Sequence, residues 1–324
     1  MLDEFGIESK IREYYLKFLE READTEGLNH FSHEIKNGRL NIGEIPTILQ
    51  LSQEYKTLMD TKKGLQELKK GYAVTKEGFE LFLDTEDHSI SRVIAFSGIY
   101  EPVETEFLKK IIKPNMHVID VGANIGYFTT LFSRLVGPQG KVTAFEPSPR
   151  SFLILKKNAM FNCMKNVTII QKAIANFSGK EKFYLSSINT GDNRFSGDPI
   201  EDYDIDREEI EVDVIKLDEY FLHENVDFLK IDAQGAEMKI LESASNIIEN
   251  NPNLQMMLEF WPVGLSAQKT SGENLLAKIK QLGFNIYDLN DMPKMNTSSI
   301  ENLCNRYTGK SYTNIFCTKD KNFK

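Results

Sequence analysis

Residues 118–129 read VIDVGANIGYFT. A short apolar strand ends in Asp120, turns through Gly122 and Gly126, and enters a helix. Glycines at such a turn let the backbone approach a ligand and seat the helix N-terminus closely. The spacing is not G-x-G-x-x-G, because Asn124 and Ile125 stand where a pyrophosphate loop wants glycine and open space. The same alternation continues downstream. Strands are predicted over 117–121, 142–145, 167–171, 226–231 and 254–259, with late strands over 284–287 and 315–318. Helices are predicted over 103–112, 128–135, 148–162, 236–248 and 275–282. Strands separated by helices predict an α/β protein, a Rossmann-like and mostly parallel sheet with helices on both faces. Between residues 179 and 220 the pattern turns polar and β-rich, which reads as an insertion over the sheet edge.

Upstream, residues 7–59 read as three short helices. Ile7, Ile11, Tyr14, Tyr15, Phe18 and Leu19 share one helical face. The turn EADTEG (22–27) offers Asp24 as an N-cap for the next helix. No residue here suggests chemistry, so this is a small all-helical packing or docking module, a candidate contact for a protein partner. The stretch DTKKGLQELKKG (60–71) is charged and solvated, a linker or a connecting helix, and FELFL (79–83) reads as a strand entering the larger domain. The expected organisation is a helical module over 1–60, a charged linker over 61–78 and a catalytic domain over 79–324.

Composition narrows the function. The 324 residues carry 39 Lys+Arg against 48 Asp+Glu, a net charge of -9, which argues against a nucleic-acid partner held by a broad basic surface. Cys163, Cys304 and Cys317 form no C-x-x-C pair, which excludes a disulfide framework and a cysteine-rich zinc site and fits a reducing, cytoplasmic setting. MLDEFGIESK has no apolar run behind a basic start, and no stretch nears ~18 apolar residues, so neither a signal peptide nor a membrane span is expected.

Glu146 ends the next strand, in TAFEPSP, 20 residues after Gly126 (146 − 126), the spacing at which an acid meets a ribose diol. Loop and acid together predict an adenosine ligand whose tail needs no diphosphate cradle. S-adenosylmethionine fits this better than NAD. An NAD-dependent oxidoreductase remains the rival reading, disfavoured by Asn124 and by the lack of a hydride-site histidine. A catalytically inactive cofactor-binding protein is the other rival, disfavoured by the presence of Glu146 and Asp232.

Residues 97–261 resemble the FkbM family of S-adenosylmethionine-dependent methyltransferases. The matching segments are GIYEPVET (98–105), VIDVGANIGYFT (118–129), GKVTAFEPSP (140–149), NTGDNRF (189–195), LDEY (217–220) and FLKIDAQGAE (228–237). The resemblance implies a class I methyltransferase fold and methylation of hydroxyl groups on sugars, glycans and other natural products. It implies that Asp120, Gly122, Asn124, Gly126 and Glu146 hold the cofactor. It implies that Ala173, at the end of the third strand, adjoins the adenine, and that Glu101, Glu104 and Thr105 close over the ligand. Gln234 stands where the family often has an acid, which speaks against a mechanism needing three carboxylates in that loop. Residues 8–55 resemble a helical module of the domain-of-unknown-function 4214 type, through YLKFLEREADTEGLNHF (15–31) and SQEY (52–55).

Candidate catalytic groups sit at the carboxyl ends of strands, where open α/β sheets bind ligands. Asp232 ends FLKID and Glu259 ends LQMMLE. Lys230 precedes Asp232 by two and points to the same side. Glu237 lies in the first turn of the next helix, where an acid also complements the dipole. An alcohol attacking a sulfonium methyl must lose its proton, usually to a carboxylate or histidine. The histidines are poorly placed: His117 begins its strand, His30 and His33 belong to the N-terminal helices, and His88 and His223 lie outside the motifs. An Asp232–Glu259 pair is also a candidate oxygen site for Mg²⁺, but no metal is expected. Asn189, Thr190, Asp192 and Arg194 form a polar loop suited to a hydroxyl-rich acceptor. The expected activity is O-methyl transfer from S-adenosylmethionine to a small-molecule or glycan acceptor.

Overall fold

The computed structural model describes residues 4–195 and 207–323. The chain divides between Glu67 and Leu68 into two compact units. The first contains helices α1 (Glu4–Leu19), α2 (Thr25–Lys36) and α3 (Ile45–Leu51), and most of α4 (Gln53–Lys70). Ile11, Tyr15 and Leu19, four apart on α1, meet Leu28, Phe31, Ile45 and Leu49 in one small core. Asp24 caps α2, its Oδ1 accepting from Gly27 N at 2.7 Å. Of the two forms expected for the charged stretch, linker or connecting helix, the structure has the helix. Residues 61–70 continue α4, because Lys, Leu, Glu and Gln are strong helix formers and the single interruption, Gly64, is buried.

The second unit opens with an antiparallel pair, β1 (Tyr72–Val74) and β2 (Glu80–Phe82), followed by α5 (Ile90–Ser97) and α6 (Pro102–Ile111). Then come β3 (His117–Val121), α7 (Tyr127–Val136), β4 (Lys141–Phe145), α8 (Pro149–Phe161) and β5 (Val167–Ile170). A small three-stranded sheet follows: β6 (Ala173–Ile174), β7 (Gly179–Ser186) and β8 (Arg207–Ile215). The chain then runs through α9 (Leu217–Tyr220), β9 (Phe228–Ile231), α10 (Glu237–Ser243), α11 (Ser245–Asn250) and β10 (Gln255–Phe260). It ends with α12 (Pro262–Ala267), α13 (Gly272–Gln281), β11 (Asn285–Asp288), α14 (Ile300–Arg306) and β12 (Thr313–Thr318). The helix expected over 236–248 is two, because Ala244 (φ −112°, ψ 19°) leaves helical geometry. The β-rich stretch expected over 179–220 pairs β7 with β8 and builds its own sheet.

The main sheet runs β11–β12–β10–β9–β3–β4–β5, parallel except for β12, which opposes both neighbours. Alternate side chains divide between its faces. Ile119, Val121, Leu229 and Ile231 join Ile240, Leu241, Leu275 and Leu276 on one side. Val118, Val142 and Phe228 join Phe107, Leu108, Phe128 and Leu131 on the other. From β3 the chain steps outward to β4 and β5, then returns to β9 on the opposite side of β3. The strand order therefore reverses at the β3–β9 pair, and a crevice opens beyond the carboxyl ends of these strands.

Candidate active site

The turn after β3 is held to its neighbours on both sides. Gly122 N and Ala123 N each donate to Phe145 O at 3.0 Å, and Asp232 N donates to Val121 O at 3.1 Å. Gly122 has φ +80°, and a Cβ there would lie 1.8 Å from the Asp232 carbonyl oxygen. The backbones of two neighbouring strand ends thus meet at a point where only glycine fits. Asn124 also occupies the left-handed region (φ 49°), a conformation Asn tolerates better than most residues. Its Oδ1 accepts from Ile125 N at 2.8 Å, and its Nδ2 donates to Thr190 O at 2.9 Å, tying the turn to the polar loop.

Glu146 is buried at the end of β4. Its Oε2 accepts from Asn124 N and its Oε1 from Ser148 N, both at 2.8 Å. Burial pushes its pKa up to about 7, against the downward pull of these two amides. Asp120 is fully buried; Thr129 Oγ1 donates to its Oδ2 at 2.6 Å, while Oδ1 has no partner. Burial raises the Asp120 pKa and the Lys230 charge opposes the rise. Asp120 and Lys230 sit side by side in the β3–β9 register.

Beyond them the alternation along β9 and β10 carries Asp232 and Glu259 onto the same face as Phe228 and Met257. Four side chains interlock there. Lys230 Nζ donates to Asp232 Oδ2 at 3.2 Å. Gln234 Nε2 donates to Asp232 Oδ1 at 3.0 Å and to Glu259 Oε2 at 2.9 Å. An amide therefore bridges the two carboxyl groups. Burial alone would favour loss of the Lys230 charge, but the Asp232 and Asp120 charges hold the ammonium above the ordinary lysine value. Its Nζ also lies 4.9 Å from the Phe128 ring centroid. Burial first, then the Asp232 charge, lifts Glu259 well above the carboxylate range. Glu101 turns into the same cleft, its pKa pushed up to about 8, chiefly by burial and next by Asp232.

The cleft brings together most of the residues read from the sequence: Glu101, Asp120, Gly122, Asn124, Glu146, Ala173, Asn189, Thr190, Asp192, Lys230, Asp232 and Glu259 all line it. Gly126 (φ +91°) lies behind it as the N-cap of α7, against Leu155. Four expectations need correction. Glu104 does not line the cleft; its Oε1 accepts from Asn314 Nδ2 at 3.1 Å and fastens α6 to β12. Ala173 opens β6 and does not end the third strand of the main sheet. Glu237 is buried beneath the turn after β9, its Oε1 accepting from Ala233 N at 3.2 Å and Gly235 N at 3.1 Å. Arg194 is fully buried and donates to Asp192 Oδ1 at 2.5 Å, while Arg207 pairs with the other Asp192 oxygen. Asp192 is therefore committed to two guanidinium groups, and Arg194 braces the loop from behind.

Sequence reading missed the aromatic and rim residues of the cleft. Tyr100 lay inside a quoted motif but carried no chemical cue. Ser89 and Ile90 come from α5 and its N-cap, while Trp261, Lys310 and Tyr312 come from segments near β10 and β12. No local pattern links these distant positions. The segment before α5 also holds the polar loop: Asp87 Oδ1 accepts from Thr190 N at 3.0 Å, and His88 N donates to Ile188 O at 2.8 Å.

A family model described as the methyltransferase FkbM domain matches residues 120–286, about half of the chain. Methyltransferase sdnD of Sordaria araneosa is 26% identical over 239 residues, covering 61% of this chain and 85% of that protein. Methyltransferase 1 of Beauveria bassiana (strain ARSEF 2860) is 29% identical over 142 residues, 38% of this chain and 56% of that protein. Among solved structures, an O-methyltransferase from Bacillus cereus in complex with SAH shares 14% identity at a TM-score of 0.41, covering 68% of this chain and 83% of the other. A SAM-dependent O-methyltransferase from Thermotoga maritima shares 16% identity at a TM-score of 0.39, covering 70% of this chain and 68% of the other.

The residues present fit S-adenosylmethionine. The Gly122 turn allows close backbone approach, Asp120 lines the cleft, and Glu146 keeps lone pairs for a diol beyond its two amide bonds. With S-adenosylmethionine as its cofactor, the chain belongs to the FkbM family of methyltransferases.

Proposed function

We propose that this methyltransferase acts on a hydroxyl group of a sugar, a glycan or a related natural product. The observation that carries the reading is the Asp232–Gln234–Glu259 group at the carboxyl ends of β9 and β10. S-adenosylmethionine, when bound, supplies a sulfonium-activated methyl group. The protein's part is to seat the acceptor hydroxyl, align it and take its proton. Asp232 is the group placed for the proton, partly exposed to the cleft and held in one orientation by Lys230 and Gln234. Burial shifts Glu259 toward its acid form, in which it can donate a hydrogen bond to the acceptor. Asn189 and Thr190 add polar groups to the cleft lining, and Trp261 and Tyr312 add aromatic side chains suited to the C–H surface of a sugar ring.

The test is methyl transfer from isotopically labelled S-adenosylmethionine to a panel of free sugars and glycans, with the product's linkage read by NMR. A methyl ether on carbon-bound oxygen is the expected product. An N-methyl or C-methyl product, or labelled nucleic acid in place of labelled sugar, would overturn the reading.

Glu146→Ala tests the cofactor side. It removes a carboxylate that organises two backbone amides and is placed for the ribose diol. The expected loss of S-adenosylmethionine affinity is about 2–4 kcal/mol, roughly 30- to 1000-fold. Calorimetric titration showing unchanged affinity would remove Glu146 from the cofactor site.

A further inference from the structure

Glu101 is placed unlike the other acids of the cleft. It stands at the N-cap of α6 in the left-handed region (φ 42°, ψ 73°), a strained conformation for a residue other than glycine. A polar side chain at this position ordinarily caps the helix, but Glu101 makes no capping bond. Its carboxyl group lines the cleft instead, and Oε2 is shut away from solvent without a partner. The groups around it come from several elements. Asp232 and Lys230 approach from β9 and its turn, and Glu104 lies one turn on along α6. Glu259 at the end of β10 and the Tyr312 phenol also act on it, and the Tyr100 hydroxyl hydrogen-bonds its carboxyl group, which favours the carboxylate. The Lys230 ammonium already serves Asp232 and lies in register with Asp120. An ionised Glu101 therefore has no counter-ion of its own.

We propose that Glu101 is protonated in the free protein and gives its proton to solvent when the cationic donor binds, so that its carboxylate reads the charge separating S-adenosylmethionine from the uncharged thioether product. The inference rests on the cofactor and not on the identity of the acceptor. Burial and the Asp232 charge place the free side chain near 8, so it is mostly the acid at neutral pH. The bound state favours the carboxylate. Donor affinity must then rise with pH while free Glu101 holds its proton, and level off above about 8. For one proton released the rise is at most about tenfold per pH unit.

The experiment is titration calorimetry of the full chain at pH 7 in buffers of different ionisation enthalpy, with S-adenosylmethionine and with S-adenosylhomocysteine. The wild type is expected to release about 0.5–1 proton more than Glu101→Gln on binding the donor. Titration of the donor's own amine is common to both proteins and cancels in that difference. With S-adenosylhomocysteine the difference is expected to fall to less than about half. Equal proton counts for wild type and Glu101→Gln, or equal differences for donor and product, would overturn the proposal. A second reading needs no variant: wild-type affinity for the donor that is flat or falling from pH 6 to 8 would overturn it as well.

Discussion

Asp232→Asn is expected to slow methyl transfer by about 10²–10⁴-fold, the range general-base catalysis usually supplies. Cofactor affinity should change by less than about tenfold. The substitution keeps the shape of the side chain but removes its capacity to take a proton. It also disturbs the local bonding in a defined way. Asp232 accepts from Lys230 on one oxygen and from Gln234 on the other. An asparagine amide can accept on one side only, so one of these donors will face an NH₂ group. That conflict should cost about 1–3 kcal/mol of stability. Single-turnover methyl transfer, denaturant unfolding and cofactor titration separate the three effects. Near-normal turnover would remove the base role from Asp232. Equal collapse of rate and binding would make Asp232 a cofactor or structural residue.

Gly122→Ala should be strongly destabilising. The residue has φ +80°, which costs an L-residue roughly 1–2 kcal/mol. The added methyl would also lie 1.8 Å from the Asp232 carbonyl oxygen, on backbone that cannot rotate aside. Overpacking of this kind typically costs about 1–3 kcal/mol more, so the expected loss is about 2–5 kcal/mol. The displaced atoms belong to the residue placed as the base, so turnover should fall further than stability alone explains. Chemical denaturation measures the first effect. An alanine variant within about 0.5 kcal/mol of wild type would mean that the two strand ends are not locked together as described.

The strand–turn–helix of residues 118–129 was legible from contiguous residues, because an apolar run, a terminal acid and glycines with positive φ act over a few positions. Glu146 was legible for the same reason, since one strand–helix–strand unit has a nearly constant length. Asp24 announced its cap through local side-chain chemistry. The charged stretch before Leu68 left linker and connecting helix open, because the Lys and Glu residues that suit a solvated linker also suit a helix. The placement of Asp232 beside Glu259 follows from the parallel pairing of β9 with β10, which depends on long-range packing. Gln234 could bridge them only once that pairing existed. Glu237 faced inward because two turn amides needed an acceptor, and Arg194 was buried because Asp192 was there to receive it. Glu101, Trp261 and Tyr312 reached the cleft from elements far apart along the chain. The sequence alone thus determined the fold type and the glycine turn after β3. Which acids share the cleft, and which of them burial leaves protonated, was decided only by the tertiary structure, because desolvation and Coulomb forces depend on distance in space and not on separation along the chain.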